Sequence, residues 1–358
     1  MQIARITLTE VFIPYQAPVG PYVGRHRGGE YRATERAAGL IAKLETDDGL
    51  VGWGEGINSF AFDVNAVLAG HHVADVQGAV ARLTEAGAGH GEISAVEMAQ
   101  WDALGKRAGL PVCRLLGGVV REEADFCACM GIKEPSASAE TARAYIEEWG
   151  FRFIKTKAGD DPEQDLRIAA AIQEEIGEEV VLRPDANAGY APDVAERQMR
   201  GMRDLGVRFF EDPCDSSHTD LLAKFRSEIG MGILVNMGIF DPASITPLVT
   251  AGAADFLMPD TVGSGGILAV KKVAEAASAW DVPCLMHCAH DFGLKTAAVA
   301  HIAACTPGFS GPSDTCYHGL TDDILVEPLR FEGGRIRVPM EPGLGVTVDE
   351  EKLDKYRR

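Results

Sequence analysis

The run Val180–Asn187, Val-Val-Leu-Arg-Pro-Asp-Ala-Asn, ends an apolar stretch in a carboxylate and, two residues on, an amide. Side chains alternate across a strand, so Asp185 and Asn187 share a face if the strand continues that far. Two later runs end in the same manner: Val207–Phe210 leads into Glu211, and Gly232–Val235 leads into Asn236. Oxygen donors on three separate strands suit a hard cation such as Mg²⁺. Any one of them alone reads as an ordinary polar residue where a loop begins; their regular placement is what points to a metal. Upstream, Phe151–Lys157 places Lys155 and Lys157 at i and i+2 on one strand face. A lysine crowded by a cation and a second ammonium is expected to have its pKa pushed down and to act as a base near neutral pH.

Asp260 closes the run Phe256-Leu-Met-Pro, and His287 closes Pro283-Cys-Leu-Met. On adjacent strands the carboxylate reaches one ring nitrogen, fixes the tautomer and leaves the other nitrogen to move a proton. The alternative is a core histidine and a helix-capping aspartate. His287 and His290 stand at i and i+3, but no third soft ligand is near in sequence, which argues against zinc. Gly263-Ser-Gly-Gly266 reads as a tight strand-to-helix turn, or as an anion site at a helix start. A cation, lysines on one side and an Asp-supported histidine on the other together suit removal of a proton α to a carboxylate. The difficulty there is the enediolate charge, which a divalent cation and ammonium groups stabilise.

Such groups must be carried by repeating elements. Lys155, Asp185, Glu211, Asn236, Asp260 and His287 follow one another at intervals of 30, 26, 25, 24 and 27 residues, the length of one strand–helix unit. In an open sheet the strand ends diverge, whereas a closed barrel lets six successive ends converge, so the pattern predicts a barrel with its site at the C-terminal face. Residues 1–57 look β-rich, with a hairpin at Asp47-Asp48-Gly49. Pro14–Tyr31 is a long Pro/Gly-rich loop carrying Arg25, His26 and Arg27. Ser94 and Glu97 read as a capping box opening a helix that Gly109 and Pro111 stop.

Composition sets the bounds. The 358 residues carry 34 basic and 53 acidic side chains, a net charge of −19, which argues against nucleic acid and against an anionic membrane surface as partners. The eight cysteines lack paired zinc spacing; Cys127/Cys129 and Cys284/Cys288 read as buried thiols of a reduced, cytoplasmic protein. The start shows no signal-peptide core, and no apolar run has the length of a transmembrane helix.

Several motifs resemble the enolase superfamily in its mandelate racemase and glucarate dehydratase branches. They are Gly52-Trp-Gly-Glu55, Trp101-Asp-Ala-Leu104, Leu115-Leu116-Gly117-Gly118, Lys155-x-Lys157, Asp185-Ala-Asn187, Glu211-Asp-Pro213, Gly265-Gly266 and Pro342-Gly-Leu-Gly345. The resemblance covers nearly the whole chain. It implies an α+β capping domain over residues 1–124, a (β/α)7β TIM-like barrel over 125–320, and a segment 321–358 returning to the cap. It implies Mg²⁺ at Asp185, Glu211 and the next strand, where Asn236 stands. Lys155 would contact a substrate carboxylate, with Lys157 and the His287–Asp260 dyad as bases from opposite sides. Asn187 and His290 would touch substrate. Arg25, His26 and Arg27, in the loop that covers the site, would meet a distal carboxylate or form a solvated loop. Asn236-Met237 resembles glucarate dehydratases, where most branches carry Asp or Glu. Mg²⁺ with Asp185 and Glu211 then sums to zero charge, which favours an anionic substrate. A lysine at the position of Asp260 would mark the cycloisomerase type. The expected activity is therefore Mg²⁺-dependent dehydration of a sugar acid or related hydroxy acid to a 2-keto-3-deoxy acid, in a homo-oligomer. Racemisation or epimerisation is the alternative, and a catalytically silent barrel is the least favoured.

Overall fold

The computed structural model describes residues 1–25 and 31–358, with the Arg25 side chain outside the description. Five strands come first: β1 (Ile3–Pro14), β2 (Tyr22–Arg25), β3 (Tyr31–Thr34), β4 (Arg36–Thr46) and β5 (Val51–Gly56). β1, β4 and β5 form an antiparallel sheet, and β2 pairs with β3 as a separate ribbon. The expected hairpin turn joins β4 to β5, with Gly49 at φ 85°. Gly52, Gly54 and Gly56 alternate along β5 and face one long helix. A Cβ at Gly54 would stand 2.1 Å from the carbonyl oxygen of Ala95, so only glycine admits this approach.

That helix, His90–Ala108, corrects the expected start. It begins at Gly89, with Ser94 and Glu97 already inside it. Ser94 donates its hydroxyl to the Glu55 carbonyl at 3.2 Å. Glu97 accepts the backbone N–H groups of Ile267 and Leu268 at 2.8 and 3.0 Å, capping a helix of the barrel instead of its own. A capping-box spacing misleads here because the helix is buried almost all round and its polar residues serve neighbours. Its end is as expected, with Gly109 left-handed at φ 66°.

The parallel strands are β6 (Glu123–Met130), β7 (Phe153–Lys157), β8 (Val181–Asp185), β9 (Phe209–Glu211), β10 (Gly232–Val235), β11 (Phe256–Leu257) and β12 (Ser313–Thr315). β6 to β11 lie side by side in chain order, and β12 pairs with β6. Between β11 and β12 runs the segment at Cys284, bridged to Leu257 on one side and Phe309 on the other. The Asp314 N–H donates to the Met286 carbonyl at 2.8 Å, which closes the barrel. Helices cover the outside. Those starting at Pro135, Pro162, Pro192 and Pro242 use proline in the first turn, where its missing N–H costs nothing.

The last part of the chain reaches both layers. β13 (Arg335–Arg337) adds antiparallel to β6. Near the end, the Phe12 N–H donates to the Tyr356 carbonyl at 2.9 Å, and Glu350 pairs with Lys43 at 2.7 Å. Among the described residues no helix is long and apolar enough to cross a membrane.

Candidate active site

The C-terminal ends of the barrel strands converge as the spacing requires. Lys155 and Lys157 project from β7 into a buried charged cluster. The Lys155 ammonium lies 2.5 Å from Asp314, 3.0 Å from Glu211 and 3.2 Å from Asp185. Lys157 donates to the same Asp185 oxygen, Oδ2, and to the Asn187 side chain at 2.9 Å. Arg183, one alternation before Asp185 on β8, pairs with Glu211 at 3.0 Å and also with Asp314.

Carboxylates surround Lys155. Burial by itself lowers an ammonium pKa, but Asp314, Glu211 and Asp185 outweigh it and hold Lys155 well above its ordinary value. These carboxylates favour its ammonium form. Asp185 shows the complement: burial opposes its charge, yet Lys157 and Lys155 hold it well below the usual carboxylate range.

Asp185, Glu211 and Asp212 bring one carboxylate oxygen each to within 4.8 Å of one another, all fully buried. Burial, then Asp185, pushes Glu211 up to about 7. Burial, then Glu211 and Asp185, pushes Asp212 up to about 8. The Glu211 Oε2 atom faces the Arg183 Nε at 3.0 Å. Crowded and oxygen-only, this set fits a hard divalent cation, which would let all three ionise together.

Asn236 stands beside the three carboxylates. Its backbone N–H donates to Asp212 at 3.0 Å, and its side-chain amide donates to the Met258 carbonyl at 2.8 Å. The sequence reading passed over Asp212. Its signal was available, a second carboxylate directly after the strand-end Glu211.

Across the barrel mouth, His287 Nδ1 lies 3.0 Å from Asp260. Lys295, on the helix Gly293–Cys305, holds the other oxygen of Asp260 at 2.6 Å and Asp291 at 2.8 Å. Burial opposes charge on Asp260, but Lys295 and His287 bring it down to about 2. An ionised aspartate on Nδ1 keeps the proton there and makes Nε2 the nitrogen that could accept one. Lys295 escaped the sequence reading, because one lysine in an alanine-rich helix gives no pattern. Asp314, from the three-residue strand β12, escaped for a similar reason.

Tyr15 reaches over this side, its hydroxyl 2.5 Å from His290 Nδ1, and the Tyr22 ring meets the His290 ring edge-on at 4.8 Å. β2 thus lies across the mouth, with Gly24 close to the Lys157 side chain. Asn187, at φ 46°, donates its N–H to Asp185 at 2.8 Å. His26 and Arg27 lie outside the described residues, and of Arg25 only the backbone is described, at the end of β2. His301 is not at the site: it is buried in its helix and donates Nε2–H to the Leu344 carbonyl at 3.0 Å. A cleft of about 730 Å³, lined by Glu123, Arg330, Arg335 and Glu341 among others, includes none of the candidate site residues.

Residues 137–352 match the enolase C-terminal domain-like family model. Residues 31–117 match the mandelate racemase / muconate lactonizing enzyme N-terminal domain. A protein of Streptomyces coelicolor named probable glucarate dehydratase is 28% identical, over 88% of this chain and 83% of its own. The L-Ala-D/L-Glu epimerase of Bacillus subtilis is 26% identical, over 97% of each chain. Among solved structures, an isomerase from Streptomyces coelicolor superposes with a TM-score of 0.84 at 29% identity, covering 99% of this chain and 98% of that one.

Proposed function

The chain belongs to the enolase superfamily, through its mandelate racemase / muconate lactonizing enzyme domains, and from that premise we propose that it is a Mg²⁺-dependent dehydratase of a sugar acid or related hydroxy acid. One observation carries the reading: Lys157, held by Asp185 and Asn187, ends β7, while His287, held by Asp260, follows the segment at Cys284, with β6 and β12 between them on one side of the barrel and β8 to β11 on the other. Asp185 and Glu211, with Asp212 or Asn236, would hold the cation, which supplies positive charge to the substrate carboxylate as enediolate character develops.

In this reading Lys155, locked as an ammonium, sits against the same carboxylate. Lys157 or His287 removes the α-proton. The imidazolium of His287, stabilised by Asp260, protonates the β-hydroxyl, the C–O bond breaks and water leaves. The resulting enol tautomerises to a 2-keto-3-deoxy acid. A dehydratase of Streptomyces coelicolor among the relatives supports elimination.

The epimerase of Bacillus subtilis supports a second reading, in which the same two bases exchange one α-proton between faces. Proton NMR in D₂O with Mg²⁺, across aldonic, aldaric and small hydroxy acids, separates them. Dehydration removes the α-proton signal and produces 3-deoxy signals. Deuterium incorporation at the α-carbon without elimination would replace the dehydratase reading with an epimerase or racemase. No exchange on any acid, with Mg²⁺ bound, would refute both.

A further inference from the structure

Eight cysteines are present, all free and buried, and three of them meet. Cys129 lies on β6, in register with Lys155 of β7. Cys288 follows His287, and Cys316 follows β12. Their sulfurs all lie within 4.8 Å of one another, with Cys288 and Cys316 at 3.9 Å. Tyr22 roofs the group and Tyr15 packs beside it.

We infer that Cys129, Cys288 and Cys316 form a second metal site, a three-thiolate site for a thiophilic divalent d¹⁰ cation of the zinc and cadmium class. Geometry favours this over packing alone. A metal–sulfur bond of about 2.3 Å in a trigonal site places the sulfurs about 4.0 Å apart, close to the spacing already present. The donors are all sulfur, which selects soft ions and leaves Mg²⁺ to the all-oxygen cluster. Cys288 is the most exposed of the three, at 8%. Binding releases the remaining thiol protons to solvent and makes no other bond.

The test uses the reduced full-length protein, stripped of metal and titrated with Cd²⁺ alone. One equivalent is expected to bind with a thiolate-to-cadmium charge-transfer band in the ultraviolet. Cys288→Ser and Cys129→Ser are expected to lose the band, and Cys113→Ser, away from the cluster, to keep it. Asp185→Asn is also expected to keep it, so failure of the carboxylate site and failure of the thiolate site are distinguishable. Cadmium NMR of the unmodified protein counts the sulfur ligands and needs no variant to fold; a shift typical of three sulfurs is expected. No charge-transfer band, a band that survives both serine variants, or a cadmium shift without sulfur would overturn the site.

Discussion

Replacing Lys295 by methionine tests the positioning of the histidine dyad. The side chain is 1% exposed and lies within 2.8 Å of both Asp260 and Asp291. Methionine keeps most of the volume and removes the only ammonium these two carboxylates share among the described residues. Breaking a buried pair by deleting one partner costs about 3–5 kcal/mol, because the other charge is left buried. Part of that loss has a pH signature. In the intact protein Asp260 titrates at about 2, below its ordinary 3.8. On acidification the unfolded chain therefore takes up this proton first, and the contribution is complete above pH 3.8 and lost as pH falls through 2. A shift of that size is worth about 2 kcal/mol. Urea unfolding from pH 7 down to pH 3 should show Lys295→Met less stable at neutral pH and missing this acid-side component. The pH profile of α-proton exchange should move with it, because without the Lys295 charge Asp260 presents a less compensated negative charge to His287 and favours its imidazolium more. Unfolding free energies matching the original chain to within about 0.5 kcal/mol, with an unmoved exchange profile, would refute the role of Lys295.

Other regions give independent tests. His301 is buried with its pKa lowered from 6.5 to about 4, so its contribution is present above pH 6.5 and lost as pH falls to 4; about 3 kcal/mol should vanish over that window and be absent in His301→Asn, measured by urea unfolding. Gly54→Ala should destabilise by about 1–3 kcal/mol or more in the same assay, because the new methyl meets the Ala95 carbonyl. Saturating Mg²⁺ at about 100 times its Kd should stabilise the fold by about 2.7 kcal/mol, and Asp185→Asn should abolish the gain. Comparing Asp212→Asn with Asn236→Ala in the Mg²⁺ experiment identifies the third ligand, as the variant that loses more of the protection.

Much of the architecture was legible because barrels repeat. Lys155, Asp185, Glu211, Asn236, Asp260 and His287 each end an apolar run at nearly constant spacing, and that period alone implies strands whose ends meet. The Asp260–His287 contact followed from the same logic and stands at 3.0 Å. Short-range patterns were less dependable. Ser94 and Glu97 have capping-box spacing but sit inside a helix, since a local motif cannot say which helix end is near in space.

What the sequence determined by itself was the period, the oxygen donors and the lysine pair, features fixed by distance along the chain. What tertiary structure decided were the partners. Lys155 reads as one of a lysine pair until folding sets Asp314, 159 residues away, against it. Lys295 has no pattern until folding sets it on Asp260. Three cysteines spread over residues 129 to 316 carry no metal spacing until three barrel segments bring their sulfurs together. The reason is physical: charge and coordination act through space over a few ångströms, and in a barrel closed between its first and last strands those ångströms join residues that the chain keeps far apart.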